Sequence, residues 1–170
     1  MRYLAANKLV NFAWFQSIWF LAILGQDKAL PLLALLFIFH FSLIPKPLTE
    51  LKIILFGISL GILVDGSMTY FGIFMFESES LLIPVWLIAL WAGLSGTLRH
   101  SLNYFAGKPV LTALAGGIGA ALSYIAGMKL GAVSFPLGIT TTFLVIFICW
   151  SIVFPTLFHV SQRSRRSSIA

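Results

Sequence analysis

Long apolar runs separated by short polar breaks dominate this chain. The pattern predicts an all-α protein, a polytopic bundle of about six transmembrane helices. The first is expected over 9–24 and ends at Gln26-Asp27-Lys28, a tight polar turn that sends the chain back. The second is expected over 30–44. It stops at Pro45-Lys46-Pro47, where proline lacks the backbone donor a continuing helix needs. The third is expected over 51–68, with Thr49 placed to cap it. The apolar stretch Thr69–Phe76 either prolongs that helix or lies at the membrane interface. Glu77-Ser78-Glu79-Ser80 is the clearest polar break. A fourth helix is expected over 81–98, ending at Arg99-His100, and a fifth over 109–128. An unusually apolar connection, Lys129–Pro136, leads to the sixth, expected over 137–158. Residues 161–170 read as a basic cytoplasmic tail, so 1–160 form one helical domain. At ~1.5 Å per residue, about 20 residues cross a hydrocarbon core ~30 Å thick. Helices are required because lipid offers no partners to free backbone groups.

Composition strengthens this reading. Of 170 residues 59% are hydrophobic and only 9% charged. A soluble domain carries roughly 25% charged residues, so this chain cannot coat a water-facing surface. The net charge of +6 comes from 11 basic against 5 acidic residues. In a soluble protein that balance suggests nucleic acid; here its placement reports orientation, and no nucleic-acid partner is expected. With six spans, one side holds Arg2, Lys8, Lys46, Lys52, Arg99, Lys108, Arg163, Arg165 and Arg166, the other only Lys28 and Lys129. Basic residues gather on the cytoplasmic side, so both termini are expected inside. The single cysteine, Cys149, excludes a disulfide framework. Arg2 and Lys8 before an apolar run resemble a signal peptide, but no small-x-small cleavage site follows, so an uncleaved first span is expected.

Asp65 is the most informative single position. It lies ~20 Å along a helix from Lys52, which places it in the outer half of the bilayer. An aspartate at a helix centre costs about 2.5–3.5 kcal/mol, so it calls for a partner or a cavity. Gly57, Gly61 and Asp65 share one helix face, where small residues admit a close neighbour and turn the carboxylate into the bundle. Trp86, Trp91, Tyr124 and Lys129 lie at similar depth, with Lys129 as candidate counter-ion. The plainer alternative is a structural anchor at Asp65, an aromatic belt and a snorkelling lysine.

A second polar group, Asn7, Asn11, Arg99, His100 and Asn103, gathers near the inner face and suits a lipid phosphate. Its plainer alternative is interhelical hydrogen bonding plus orienting charge. His40 and His159 lie near the same end, but the three histidines lack ligand spacing and no acid is expected beside them, so no metal is assigned. The run Ala115-Gly116-Gly117-Ile118-Gly119-Ala120-Ala121 has no preceding strand, so its glycines read as close helix packing rather than a nucleotide turn. Such small-residue faces also suit a membrane-protein partner or a second copy. No catalytic serine motif, phosphate loop, paired carboxylates or cofactor motif appears.

Several short motifs carry a family resemblance. They are Ile83-Pro84-Val85-Trp86-Leu87-Ile88-Ala89-Leu90-Trp91, continuing to Leu98 and Ser101-Leu102; Asn11 with Phe15-Gln16 and Trp19; Leu63-Val64-Asp65; and Tyr124 through Gly127 to Leu130-Gly131-Ala132. Over most of its length the chain resembles a bacterial inner-membrane family known as domain-of-unknown-function family 2878. The resemblance implies a compact polytopic protein of Gram-negative bacteria with no established activity. It also implies gene neighbourhoods containing cyclopropane-fatty-acid synthases, a link to lipid chemistry.

Two function classes follow. The first is a non-enzymatic protein, a small carrier or an accessory factor in membrane lipid metabolism, with Asp65 as its polar element and Arg99 with Asn11 holding a headgroup. The second is an intramembrane lipid-modifying enzyme with Asp65 as acid or base. A purely structural or partner-binding role is the third possibility. The lack of a paired catalytic group ranks the enzyme below the carrier.

Overall fold

The computed structural model describes residues 4–77 and 83–166, the last three as backbone only. Arg2, Ser78-Glu79-Ser80, residues 81–82 at the head of the expected fourth span, and residues 167–170 lie outside it. Its helices are α1 (Lys8–Gly25), α2 (Leu30–Leu43), α3 (Pro47–Tyr70), α4 (Val85–Ser95), α5 (Pro109–Lys129) and α6 (Ile139–Arg166). Among the described residues the one extended pairing is an isolated antiparallel bridge, Met75 with Ser134.

Four stretches are long and apolar enough to cross a membrane: Lys8–Leu43, Pro47–Tyr70, Pro109–Lys129 and Ile139–Arg163. The first is bent double. A 3-10 turn at Gln26–Ala29 separates α1 from α2, and Gln26 adopts a positive φ of 45° there. The indole of Trp14 donates to the Leu36 carbonyl at 2.9 Å and its ring stacks on His40 at 4.1 Å. Those contacts run α2 back along α1, the hairpin that Gln26-Asp27-Lys28 foretold. The exterior is largely apolar, with Leu35, Ile38, Leu55, Leu63, Ile148 and Ile152 all exposed. A large exposed apolar surface of this kind suits lipid rather than water.

Several expected boundaries move. Helix α3 starts at Pro47, so Thr49 lies within its first turn and does not cap it. A proline is well placed at that first position, where its missing N–H costs nothing. The same helix runs through Tyr70, and the chain then turns so that Phe74 is buried and Met75 pairs with Ser134. Helix α6 continues to Arg166, into the stretch expected as a basic tail outside the helical domain, and Ser161 within it is buried. The largest change is α4. Expected over 81–98, it spans 11 residues, about 17 Å at the α-helical rise, roughly half a hydrocarbon core. Pro84 bounds it at one end and a run of tight turns after Gly96 at the other.

Short as it is, α4 is the hub. Trp86, Leu87, Leu90, Trp91, Ala92, Gly93 and Ser95 are all buried. Its close approach to α3 depends on glycine. A Cβ on Gly61 would sit 2.3 Å from the Trp91 ring and one on Gly57 within bonding distance of Ser95 Oγ. On the other flank, a Cβ at Gly93 would meet Ile18 of α1 at 3.2 Å. Helices α5 and α6 form a second hairpin by the same means, since a Cβ at Gly116 would strike Phe154 at 2.4 Å. Gly116 and Gly117 of the α5 run thus belong to a packing face, whereas a Cβ on Gly119 would meet nothing within 4 Å.

Candidate functional site

Asp65 is fully buried. The Gly57–Gly61–Asp65 face turns it toward α4, where Trp91 Nε1 donates to its Oδ2 at 2.7 Å. Tyr124 of α5 donates its hydroxyl to the same oxygen at 2.6 Å. The other oxygen, Oδ1, has no hydrogen-bond partner. One carboxylate oxygen therefore ties α3, α4 and α5 together. The aromatic rings it holds are packed in turn: Trp91 stacks on Trp150 at 4.8 Å and Tyr124 on Phe74 at 4.9 Å.

Beside this network lies a cavity of ≈ 510 Å³ walled by α1, α4, α5 and α6. That is within the ~300–1,000 Å³ usual for small-molecule sites. Trp91, Tyr124, Trp86 and Trp150 line it; Asp65 does not. Asp65 stands behind the wall and fixes two of its side chains. Phe20 of α1 and Leu122 of α5 line the cavity and are 52% and 56% exposed, so the cavity reaches the protein's surface at these two side chains. Both are apolar, and so is the surface at that point.

Of the residues expected to surround Asp65, the structure brings Tyr124 into contact and prefers Trp91 to Trp86. Trp86 is a buried wall residue that meets Phe76 edge to face at 5.9 Å. Lys129 is exposed at the end of α5, and among the described residues neither ion pair involves it.

The expected inner cluster resolves into separate local roles. Asn7 caps α1, its Oδ1 accepting from the backbone of Leu9 and Val10. Asn11, fully buried, donates to the Gly96 carbonyl at 3.0 Å and accepts from the Ser101 hydroxyl at 2.7 Å and backbone N–H at 3.2 Å. It locks α1 to the turns that follow α4. Asn103 opens a 3-10 turn, and Arg99 is half-buried.

His100 makes a different contact. Its Nε2 lies 3.1 Å from Glu50 Oε1, and His40 Nε2 lies 3.6 Å from the same oxygen. The expectation that no acid accompanies the histidines is corrected: Glu50, 3% exposed, sits between two of them. His159 is exposed and apart. Among the described residues no group of three His, Cys, Asp or Glu is placed to hold a metal ion. The sequence does carry a signal for this pair. His40 and Glu50 stand equally far on either side of Pro45, and a helical hairpin turning there sets them side by side.

Residues 8–156 match the family described as Protein of unknown function (DUF2878). The chain belongs to that family. No curated protein and no solved structure matches it. Within DUF2878, this chain's motif Leu63-Val64-Asp65 supplies the buried carboxylate, and Ile83–Trp91 supplies the start of the central helix and the indole that binds it.

Proposed function

We propose that this DUF2878 protein binds a membrane lipid in the cavity between α1, α4 and α5, as a small carrier or accessory factor in membrane lipid metabolism. It would sit in the bacterial inner membrane with both termini cytoplasmic and all six helices within the bilayer, α4 as a half-length helix enclosed by the others. The basic residues support that orientation, nine on the cytoplasmic side against Lys28 and Lys129 on the other. The observation that carries the lipid reading is the mouth of the cavity. Its rim residues Phe20 and Leu122 lie well inside apolar helices, so it opens toward acyl chains rather than water.

The same geometry weighs against an enzyme with Asp65 as acid or base. A general base must come within hydrogen-bond reach of the proton it takes, and Trp91 and Tyr124 stand between Asp65 and any guest. Asp65 serves this function as a positioning residue, holding two wall aromatics in place.

The test is a lipid profile of a deletion strain complemented with wild type or with Gly119→Phe. Gly119 lines the cavity, and a Cβ there meets nothing within 4 Å, so a bulky side chain can be added at the cavity wall without its Cβ striking a neighbouring helix. Wild type is expected to restore the profile. Gly119→Phe, at equal abundance in the membrane, is expected not to. Indistinguishable profiles in the deletion and wild-type strains would sink the lipid reading.

A further inference from the structure

One polar group on the cavity wall is unspent. Helix α1 contributes Phe15, Gln16, Trp19, Phe20 and Ile23 to the lining. At about 3.6 residues per turn these form a single arc of the helix, with Phe15 and Phe20 at its edges and Gln16 between them. Gln16 is half-buried and is the ninth of the 18 residues of α1, midway along an apolar span. Other polar side chains of the wall have partners. Trp19 Nε1 donates to Ser123 Oγ at 2.8 Å, and Trp91 and Tyr124 both donate to Asp65. The Gln16 amide makes no hydrogen bond with any described residue.

The reason lies across the cavity. The Trp19–Ser123 bond joins positions 104 apart. One turn on, a Cβ at Gly127 would meet Ile23 at 3.4 Å, the same separation in sequence. Helices α1 and α5 therefore run in the same direction, and one turn back Gln16 comes level with Gly119 and Ala120. Both line the cavity, and neither has a side chain to reach the amide. An amide at this depth without water or a protein partner calls for a guest that supplies one.

We propose that the cavity takes a fatty acid in its protonated form, its carboxylic acid paired with the Gln16 amide. This rests on the lipid-binding reading above and names the class. A primary amide presents a carbonyl acceptor beside an N–H donor, and a neutral carboxylic acid presents the complement. The acid O–H donates to Gln16 Oε1 while Gln16 Nε2 donates to the acid carbonyl. A methyl ester lacks the O–H and makes only the second bond; an alkane makes neither. The ionised acid has no donor for Oε1. It would also carry its charge to the middle of the span, where no described lining residue is charged. Tyr124 is the one titratable side chain among the described lining residues, with Asp65 behind it.

Four of the chain's five tryptophans, Trp19, Trp86, Trp91 and Trp150, line the cavity, so brominated probes report occupancy by fluorescence quenching. Full-length protein in micelles is titrated with dibromostearic acid, dibromostearamide, methyl dibromostearate and dibromo-octadecane. Each is measured below and above the pH at which the acid ionises in protein-free micelles. The acid at low pH and the amide are expected to quench saturably, and the ester to bind about fivefold more weakly, the worth of one neutral hydrogen bond. Raising the pH is expected to weaken the acid at least about tenfold and to leave the amide unchanged. Gln16→Met keeps the length of the side chain and removes the amide. It is expected to weaken the protonated acid and the amide at least about tenfold, for two hydrogen bonds lost. The same variant is expected to leave dibromo-octadecane unchanged and to melt no earlier than wild type.

Saturable quenching by none of the probes would overturn lipid binding and this inference together. Alkane binding as tight as that of the protonated acid, or tighter binding of the ionised acid, would overturn this inference and leave lipid binding intact. An amide that weakens with pH as the acid does would place the titration in the protein rather than the guest. Equal loss of acid and alkane binding in Gln16→Met would remove Gln16 from its assigned role.

Discussion

The Asp65 carboxylate accepts a 2.6 Å hydrogen bond from the Tyr124 hydroxyl across 59 positions of chain. This one contact links two helices that each pack against a different neighbour, and it explains why a charged residue type persists inside an apolar bundle.

If Asp65 acts as an acceptor, Asp65→Asn and Asp65→Ala must differ. Asparagine keeps a carbonyl for Trp91 and Tyr124. Alanine strands two buried donors at about 1–3 kcal/mol each. We expect Asp65→Ala to lower unfolding free energy by about 2–6 kcal/mol and Asp65→Asn by less than half of that, as measured by denaturant titration in mixed micelles. Equal losses would show that the charge, not the acceptor, is what the fold needs.

The α3–α4 contact offers a steric prediction. Gly61→Ala drives a methyl group against the Trp91 ring, whereas Gly66→Ala on the same helix meets nothing within 4 Å. Overpacking of this kind costs about 1–3 kcal/mol. We expect Gly61→Ala to lose that amount and Gly66→Ala to lose none, measured side by side in the same micelles.

Glu50 should couple to its histidines unequally. His100 Nε2 is within hydrogen-bond range of Oε1 and His40 Nε2 is 3.6 Å away. Double-mutant cycles with alanine are expected to give a coupling above about 0.5 kcal/mol for Glu50–His100 and a smaller one for Glu50–His40. The reverse order would mean that the two imidazoles exchange roles in the membrane.

Orientation is testable by single cysteines in a Cys149→Ser background. Lys28→Cys and Lys129→Cys should react with an impermeant maleimide in intact cells. Lys46→Cys and Lys108→Cys should react only after permeabilisation. Labelling of all four from outside would refute the arrangement drawn from the basic residues.

Some of the site was legible in the chain and some was not. The Gly57–Gly61–Asp65 spacing announced both a close helix contact and an inward carboxylate, because four-residue steps stay on one helix face. The partners of that carboxylate were harder. Trp86, Trp91 and Tyr124 were all at plausible depth, and only the mutual rotation of α3, α4 and α5 selects Trp91 and Tyr124. Asn11 stands out in the sequence as an inner-face candidate, but its partner Ser101 lies 90 positions away, and nothing local pairs the two. Trp150 carries no signal in the chain, because an indole in an apolar helix reads like any other core residue until its donor is seen to lack a partner.

The sequence by itself determined the local terms: which runs are apolar, where proline and polar turns break them, and which small residues share a face. Those depend on neighbours within a few positions, so composition and period reveal them. Tertiary structure alone decided the half-length of α4, the meeting of Glu50 with two histidines, and the cavity whose wall Asp65 steadies from behind. Each of these depends on how helices distant in sequence rotate and settle against one another, and helix–helix packing is set by the summed fit of many side chains rather than by any short motif.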